Sequence, residues 1–127
     1  MKRTTLALAA GALAMLTASQ ALADQFLGSY VARIGRADHF ASDGYPLDSA
    51  AQMVRQDRAN VHKFGKFDPG DESDPWFGSA ASRARLETML KKGGAMSAGT
   101  KRAIMTGRPL VEVEVFRNSV RVTVIGN

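Results

Sequence analysis

The sequence predicts an α+β fold in which a small antiparallel sheet packs against one long and two short helices. Residues 111–125 alternate valine with other residues on both sides of a short turn, a pattern typical of a β-hairpin. Residues 47–66 repeat apolar side chains at helical spacing, and residues 79–92 and 97–106 each begin near a capping serine. We expect a third strand ahead of the helices, because a two-stranded hairpin alone is only marginally stable.

Residues 1–23 have the pattern of a signal peptide and precede the predicted domain, residues 24–127. A basic Lys-Arg head at 2–3 is followed by an apolar run at 6–16 and by Ala-Leu-Ala at 21–23, the pattern of a cleavage site. The apolar run is shorter than the roughly 20 residues that span a bilayer, so it predicts no transmembrane anchor. We therefore expect a periplasmic or secreted protein.

The composition suits an exported domain that is held together by its core alone. The sequence contains no cysteine, so no disulfide can stabilise the fold. It has 17 basic and 12 acidic residues, and these charges are unevenly distributed. Basic residues predominate between 79 and 108, whereas acidic residues cluster between 68 and 74. This asymmetry bears on solubility and on partners rather than on the fold.

The first predicted element is a strand within residues 26–34. Every second position carries an apolar residue (Tyr30, Ala32, Ile34), which suits a short strand. A helical face also fits residues 26–34, so the sequence leaves both interpretations open. The loop that follows contains His39 and turn signals before the long helix.

The long helix has the clearest start and end in the sequence. Its apolar stripe consists of Ala50, Val54, Val61 and Phe64. Asp48 or Ser49 can cap the N-terminus, and Gly65 supplies the left-handed residue that commonly ends a helix. Asp57 and Arg58 lie on the two flanks of the stripe. Because an unpaired buried charge is costly, we expect both residues to tie neighbouring loops to the helix.

Residues 64–77, named here the acidic loop, predict an irregular surface segment. Two Asp-Pro steps and a glycine exclude regular structure across its middle. We expect the acids to be displayed while aromatic residues anchor both ends in the core: Phe64, Phe67, Trp76 and Phe77. Compact loops with anchored ends frequently carry function.

Two shorter helices follow the acidic loop. The first begins at Ser79 or Ser82 and ends at Lys92, before a Gly-Gly pair. The second begins at Ser97 and ends at Thr106, ahead of a glycine. The residues expected to face inward are Leu86, Met89 and Leu90 in the first helix and Ile104, with Ala103 and Met105, in the second.

The C-terminal hairpin has a register that both of its faces support. The predicted pairs are Val115–Val120, Val113–Val122 and Val111–Val124 on one face and Glu114–Arg121 on the other. Burial of the six valines would contribute about 1.5–3 kcal/mol each. If the second strand lies at a sheet edge, its free backbone groups could pair with another copy, so homodimerisation through this edge stays open.

The leading functional hypothesis is a non-enzymatic binding protein that presents a basic helical face. Its candidate binding residues are Arg83, Arg85, Lys91, Lys92, Lys101, Arg102 and Arg108. Such a face suits phosphates and carboxylates, and export excludes chromosomal nucleic acid as the partner. We expect an anionic envelope component or an acidic protein as partner, and no cofactor. A solvated helix surface that contacts only water has the same composition.

The alternative hypothesis is a small secreted hydrolase of the phosphodiester-cleaving type. His39 and His62 are the only histidines and could act as acid and base, with Asp57 and Arg58 nearby. This hypothesis requires the two imidazoles to converge in one cleft. The sequence contains no nucleophile motif, P-loop or dinucleotide fingerprint.

The acidic loop offers weak candidates for a metal site: Asp68, Asp71, Glu72 and Asp74. Clustered carboxylates can hold calcium, but their spacing lacks the EF-hand pattern and the glycine comes too early. Two histidines without cysteine are also too few for a typical zinc site. We therefore expect a solvated acidic turn without a metal.

Export predicts that the protein recovered from the periplasm or the medium begins at Asp24. An Ala23→Arg exchange should leave the precursor unprocessed, because cleavage requires a small residue at this position. A Leu22→Gln exchange, at the unconstrained middle position, should be processed normally. Intact mass of the fractionated protein checks both outcomes, and an unprocessed natural chain in the cytoplasm would contradict the prediction.

Overall fold

The computed structural model describes residues 24–127, so the predicted signal peptide lies outside the described residues. This part of the chain confirms the α+β class. Its elements are β1 (Phe26–Arg33), a 3-10 helix (Arg36–His39), α1 (Ala50–Phe64), α2 (Ala80–Leu90), α3 (Ala98–Thr106), β2 (Leu110–Phe116) and β3 (Val120–Gly126). Among residues 24–127, no helix is both long enough and apolar enough to cross a bilayer.

The three strands form one antiparallel sheet in the order β1-β2-β3. The predicted register of the hairpin is confirmed in every pair: Val111–Val124, Val113–Val122, Val115–Val120 and Glu114–Arg121. The strand interpretation of the N-terminal segment is also confirmed, with Tyr30 opposite Val113 and Arg33 opposite Leu110. This pairing of β1 with β2 brings the residues before β2 next to the end of β1.

One face of the sheet forms the core with the three helices. Five of the six hairpin valines are buried, and Val124 is half-buried against the same cluster. The helices add Ala50, Val54, Leu86, Met89, Leu90 and Ile104, all of which were predicted to face inward. Ser49, Ser79 and Ser97 cap the three helices by accepting hydrogen bonds from backbone amides.

Three apolar residues do not take the inward positions that the sequence predicts. Phe64, Phe67 and Met105 are 44%, 55% and 42% exposed. The left-handed Gly65 ends α1 directly after Phe64, so the chain turns away before this ring and Phe67 can meet the core. Met105 follows the buried Ile104 and is rotated about 100° from it around α3. Aromatic residues therefore anchor the acidic loop only at its C-terminal end, where Phe77 is buried and Trp76 packs against the core.

The two outer strands of the sheet are covered in different ways. Along β1, the Val31 amide donates to Glu72 Oε1 at 2.7 Å, and the Arg33 amide donates to Asp71 Oδ1 at 2.7 Å. Along β3, the Val122 amide donates to the Ala95 carbonyl at 2.8 Å. Carboxylates of the acidic loop thus occupy backbone donors that an unprotected edge would present to another strand.

Candidate functional site

A fully buried guanidinium, that of Arg58, lies at the centre of the ionic groups in the interior. Its Nε donates to Asp57 Oδ2 at 2.8 Å, and its Nη1 donates to Asp74 Oδ1 at 2.8 Å and to the Glu72 carbonyl at 2.9 Å. Its central carbon lies 4.1 Å from the centroid of the Tyr30 ring, which provides a cation–π contact. Arg58 therefore joins α1, the acidic loop and β1.

The Asp74 carboxylate is the second centre of this network. Its Oδ1 contacts both Arg58 and His62 Nε2, the latter at 2.7 Å, and its Oδ2 accepts from the amides of Trp76 and Phe77. Burial alone would raise the pKa of Asp74, but these hydrogen bonds to the charged form outweigh it and hold the pKa below its ordinary value. Asp74 is therefore a structural carboxylate that closes the acidic loop onto α1.

The pairing of Asp57 with Arg58 is less complete than the short distances suggest. Arg58 Nη2 lies 2.8 Å from Asp57 Oδ2, the oxygen that also accepts from Nε, but it makes no hydrogen bond. Within the described residues, Asp57 Oδ1 and the Tyr30 hydroxyl are buried without a hydrogen-bond partner. Burial raises the pKa of Asp57, although the Arg58 charge acts to lower it. Burial also raises the pKa of Tyr30.

A second buried carboxylate, Asp38, lies between the 3-10 helix and α1. It accepts hydrogen bonds from the Gly35 amide and from Asn60 Nδ2, both at 2.8 Å. Burial raises the pKa of Asp38 to about 6, although both hydrogen bonds act in the opposite direction. Asp38 thus sets the position of the 3-10 helix relative to α1.

The two histidines make different contacts. His39 places Nδ1 2.8 Å from the Gly35 carbonyl and Nε2 2.9 Å from the Ile104 carbonyl, so both of its ring nitrogens are engaged by backbone. His62 pairs with Asp74 and has no described partner at Nδ1. Of the four residues proposed for a hydrolase, Arg58 and His62 meet at Asp74 and Asp57 pairs with Arg58, whereas His39 links the 3-10 helix to α3.

Three of the seven predicted binding residues make contacts that hold parts of the fold together. Arg83 is buried and donates to the Phe77 carbonyl at 3.1 Å. Arg85 and Lys92 donate to carbonyls of Arg117 and Asn118 and so attach α2 to the turn between β2 and β3. Like Arg85 and Lys92, the remaining four are exposed: Lys91, which pairs with Glu87 at 3.0 Å, and Lys101, Arg102 and Arg108.

The four acidic candidates for a metal site lie in different parts of the structure and have different partners. Asp71 and Glu72 accept from β1 amides, Asp74 belongs to the buried network, and Asp68 lines a surface cleft. Within residues 24–127, no group of three or more His, Cys, Asp or Glu side chains converges in a way that could hold a metal ion. Three of these four residues, Asp71, Glu72 and Asp74, therefore use their carboxylates to stabilise the fold.

A surface cleft of about 800 Å³ is lined by three arginines, Arg33, Arg36 and Arg108. We name it the arginine cleft. Antiparallel pairing creates it, since the Ile34 amide donates to the Pro109 carbonyl at 3.0 Å and Arg33 Nη1 donates to the Arg108 carbonyl at 3.0 Å. The side chains of Arg36 and Arg108 make no hydrogen bond or ion pair with another residue of the described chain.

Among the described residues, Asp68 supplies the only acidic side chain in the lining of the arginine cleft. Its carboxylate packs so closely on Gly35 that a Cβ at that position would overlap with Oδ2. Burial and the Asp71 charge raise the pKa of Asp68, while Arg108 and Arg33 act to lower it. The remaining walls are Gly35, Ala37, Phe40 and Pro69. Positive charge is therefore in excess in this cleft.

A smaller cleft of about 210 Å³ adjoins the arginine cleft. The two share Arg36, Phe40 and Arg108, and the smaller one adds Met105 and His39 to its lining. A third cleft, of about 330 Å³, lies between α1 and α2 and contains Arg83. Of the predicted binding residues, only Arg108 lies in the arginine cleft, and the sequence analysis did not identify Arg33 or Arg36.

The sequence contains a feature that could have identified Arg33 and Arg36 as site residues. If the N-terminal segment pairs antiparallel with the first hairpin strand, the end of that segment must lie beside the residues before the hairpin. Arg33 and Arg36 would then approach Arg108. This conclusion needs the register of β1 against β2, which the sequence leaves open because a helical face fits the same residues.

No protein-family model, curated protein or solved structure shows a significant match to this chain. The functional argument therefore rests on the geometry and chemistry of its own residues.

An Arg58→Met exchange should lower the free energy of unfolding by about 3–5 kcal/mol, because it leaves Asp57 and Asp74 buried without their cation. Chemical denaturation measures this change. The matched control is Arg55→Met on the same helix, whose partly exposed pair with Glu87 spans 3.3 Å and should contribute no more than about 1 kcal/mol. Equal losses in the two variants would contradict the central role of Arg58.

Asp38 should give the unfolding free energy a specific pH dependence. Its folded-state pKa of about 6 lies above the ordinary value of 3.8, so its favourable contribution is complete below about pH 4 and is lost as the pH rises to 6 and above. Relative to an Asp38→Asn variant, the natural protein should lose up to about 3 kcal/mol across this window. Denaturation at several pH values measures the difference.

The exposed Asp48→Asn exchange removes the same charge beside α1 and serves as the control for Asp38. Its unfolding free energy should keep the pH dependence of the natural protein. If the Asp38→Asn curve also runs parallel to that of the natural protein between pH 4 and 6, Asp38 does not titrate as its burial requires.

Proposed function

We propose that this protein is an exported, non-enzymatic binding protein whose anionic ligand occupies the arginine cleft. The observation that carries the proposal is the convergence of Arg33, Arg36 and Arg108 on one cleft of about 800 Å³. These arginines come from β1, the 3-10 helix and the segment before β2. A volume of this size lies in the range typical of small-molecule sites, which run from about 300 to 1,000 Å³.

Guanidinium groups give this cleft a clear chemical preference. Their planar forks bind carboxylates and phosphates through paired hydrogen bonds, and they stay charged at every physiological pH. Arg33 is held by its bond to the Arg108 carbonyl, whereas the side chains of Arg36 and Arg108 remain available for a ligand. One fixed and two available guanidiniums can surround a single anionic group.

The exposed residues Lys101 and Arg102 on α3 add positive charge outside the arginine cleft. Exposed positive charges attract anions over a range of about 10 Å at moderate ionic strength. This supports an anionic envelope component as the source of the ligand. We propose export on the basis of the signal-peptide pattern in residues 1–23.

The contacts of the histidines favour binding over hydrolysis. Both ring nitrogens of His39 are engaged by backbone carbonyls, so neither is available to transfer a proton to a substrate. His62 and Arg58 both contact Asp74, and Arg58 is fully buried. Stabilisation of the acidic loop therefore accounts for the contacts of His62 and Arg58 without a catalytic role.

The proposal predicts that inorganic pyrophosphate, used as a probe anion, binds the purified protein and that the double variant Arg36→Gln/Arg108→Gln binds at least about tenfold more weakly. Isothermal titration calorimetry at low and moderate salt measures both affinities. The matched control is Lys101→Gln/Arg102→Gln, which removes the same charge outside the arginine cleft and should cost less than about threefold.

Equal losses in the two double variants would show that affinity follows net charge rather than the arginine cleft. Absence of binding of pyrophosphate, phosphate and every organic phosphate to the natural protein would overturn the proposed function altogether.

A further inference from the structure

We propose that the ligand of the arginine cleft is a small anionic amphiphile, in which one phosphate or carboxylate is joined to an aromatic ring or a short acyl chain. This inference rests on the proposed function and specifies the class of ligand. It follows from the apolar surface that accompanies the three arginines.

The first observation is the chemical nature of the walls. Ala37, Phe40 and Pro69 line the same cleft as the arginines. Phe40 is 38% exposed, although aromatic rings of this size are usually buried where partners allow it. A ligand that consisted only of anionic groups would leave this apolar surface in contact with water. An apolar group joined to the anion would cover it.

The second observation is that the backbone holds Phe40 in place. Phe40 pairs with Pro46 in an isolated antiparallel bridge, and its amide donates to the Ala37 carbonyl at 3.4 Å. The adjacent His39 carbonyl accepts from the Leu47 amide at 2.9 Å, and the His39 ring is held by two carbonyls. The exposed ring is therefore presented on an ordered segment, which lowers the entropic cost of binding a ligand against it.

The third observation extends the apolar surface beyond the arginines. Phe40, Arg36 and Arg108 also line the adjoining cleft of about 210 Å³, which Met105 enters from α3. Met105 is 42% exposed, and its flexible thioether side chain adapts to different apolar partners. An anionic group held by Arg36 and Arg108 can therefore place an attached apolar group against Phe40, with Met105 at its far end.

The fourth observation limits the charge of the ligand. Asp68 lines the arginine cleft, and its carboxylate packs against Gly35 at the wall of the cleft. Three arginines and one carboxylate attract a single anionic group but oppose an extended polyanion that would reach Asp68. Asp68 thus favours a ligand with one charged end over a polyphosphate.

Titration calorimetry with four probe compounds tests this inference: inorganic phosphate, phenyl phosphate, hexyl phosphate and benzoate. We expect phenyl phosphate or hexyl phosphate to bind at least about tenfold more tightly than inorganic phosphate, because the attached group buries apolar surface on Phe40 and Met105. Comparison of phenyl phosphate with benzoate shows which anionic group the arginines prefer.

A Phe40→Ala variant should lose most of the preference for phenyl phosphate over inorganic phosphate while keeping its affinity for inorganic phosphate within about threefold. The matched control is Phe64→Ala, which removes another exposed phenylalanine and lies in neither cleft. This control should keep the full preference, and the thermal transition of each variant verifies folding.

The outcomes separate this inference from the proposed function. If none of the anions binds, the proposed function itself fails. If inorganic phosphate and pyrophosphate bind as tightly as phenyl and hexyl phosphate, or if Phe40→Ala leaves the preference unchanged, the cleft binds anions and only the amphiphile inference is overturned.

Discussion

The buried charge of Arg58 is the interaction on which the rest of the structure depends. A cation in the interior costs several kcal/mol unless carboxylates and hydrogen bonds surround it. Asp57 supplies one carboxylate from α1, Asp74 supplies the other from the acidic loop, and Tyr30 covers the guanidinium from β1. Because α1 and the acidic loop cannot separate without leaving Asp74 and Arg58 unpaired from each other, the acidic loop is held against α1 and beside β1.

The position of the acidic loop determines what the molecule presents at its surface. Asp71 and Glu72 accept from the free amides of β1, which protects this edge from pairing with another strand. Asp68 and Pro69 form one wall of the arginine cleft. The same short segment therefore completes the buried ionic network, covers an edge strand and shapes the proposed ligand site. A substitution of Asp74 should consequently disturb all three of these features.

Burial and hydrogen bonding divide the arginines into two groups with different roles. Arg58 and Arg83 donate to fixed acceptors in the interior and build the fold. The side chains of Arg36 and Arg108 line a cleft in which no described residue hydrogen-bonds to them, and this availability makes them suitable for a ligand. Charge counted along the sequence does not separate these groups, since the distinction depends on which acceptors the fold brings within about 3 Å.

The sequence by itself determined the α+β class, the helix caps and the register of the hairpin, because these depend on local periodicity and on residues close in the chain. The tertiary structure alone decided the arginine cleft and the burial of Asp74. Arg33 and Arg108 meet through strand pairing between distant segments, which local patterns do not specify. An aspartate in an Asp-Pro loop is typical of a solvated turn, and only the presence of Arg58 and His62 within hydrogen-bond distance makes its burial favourable.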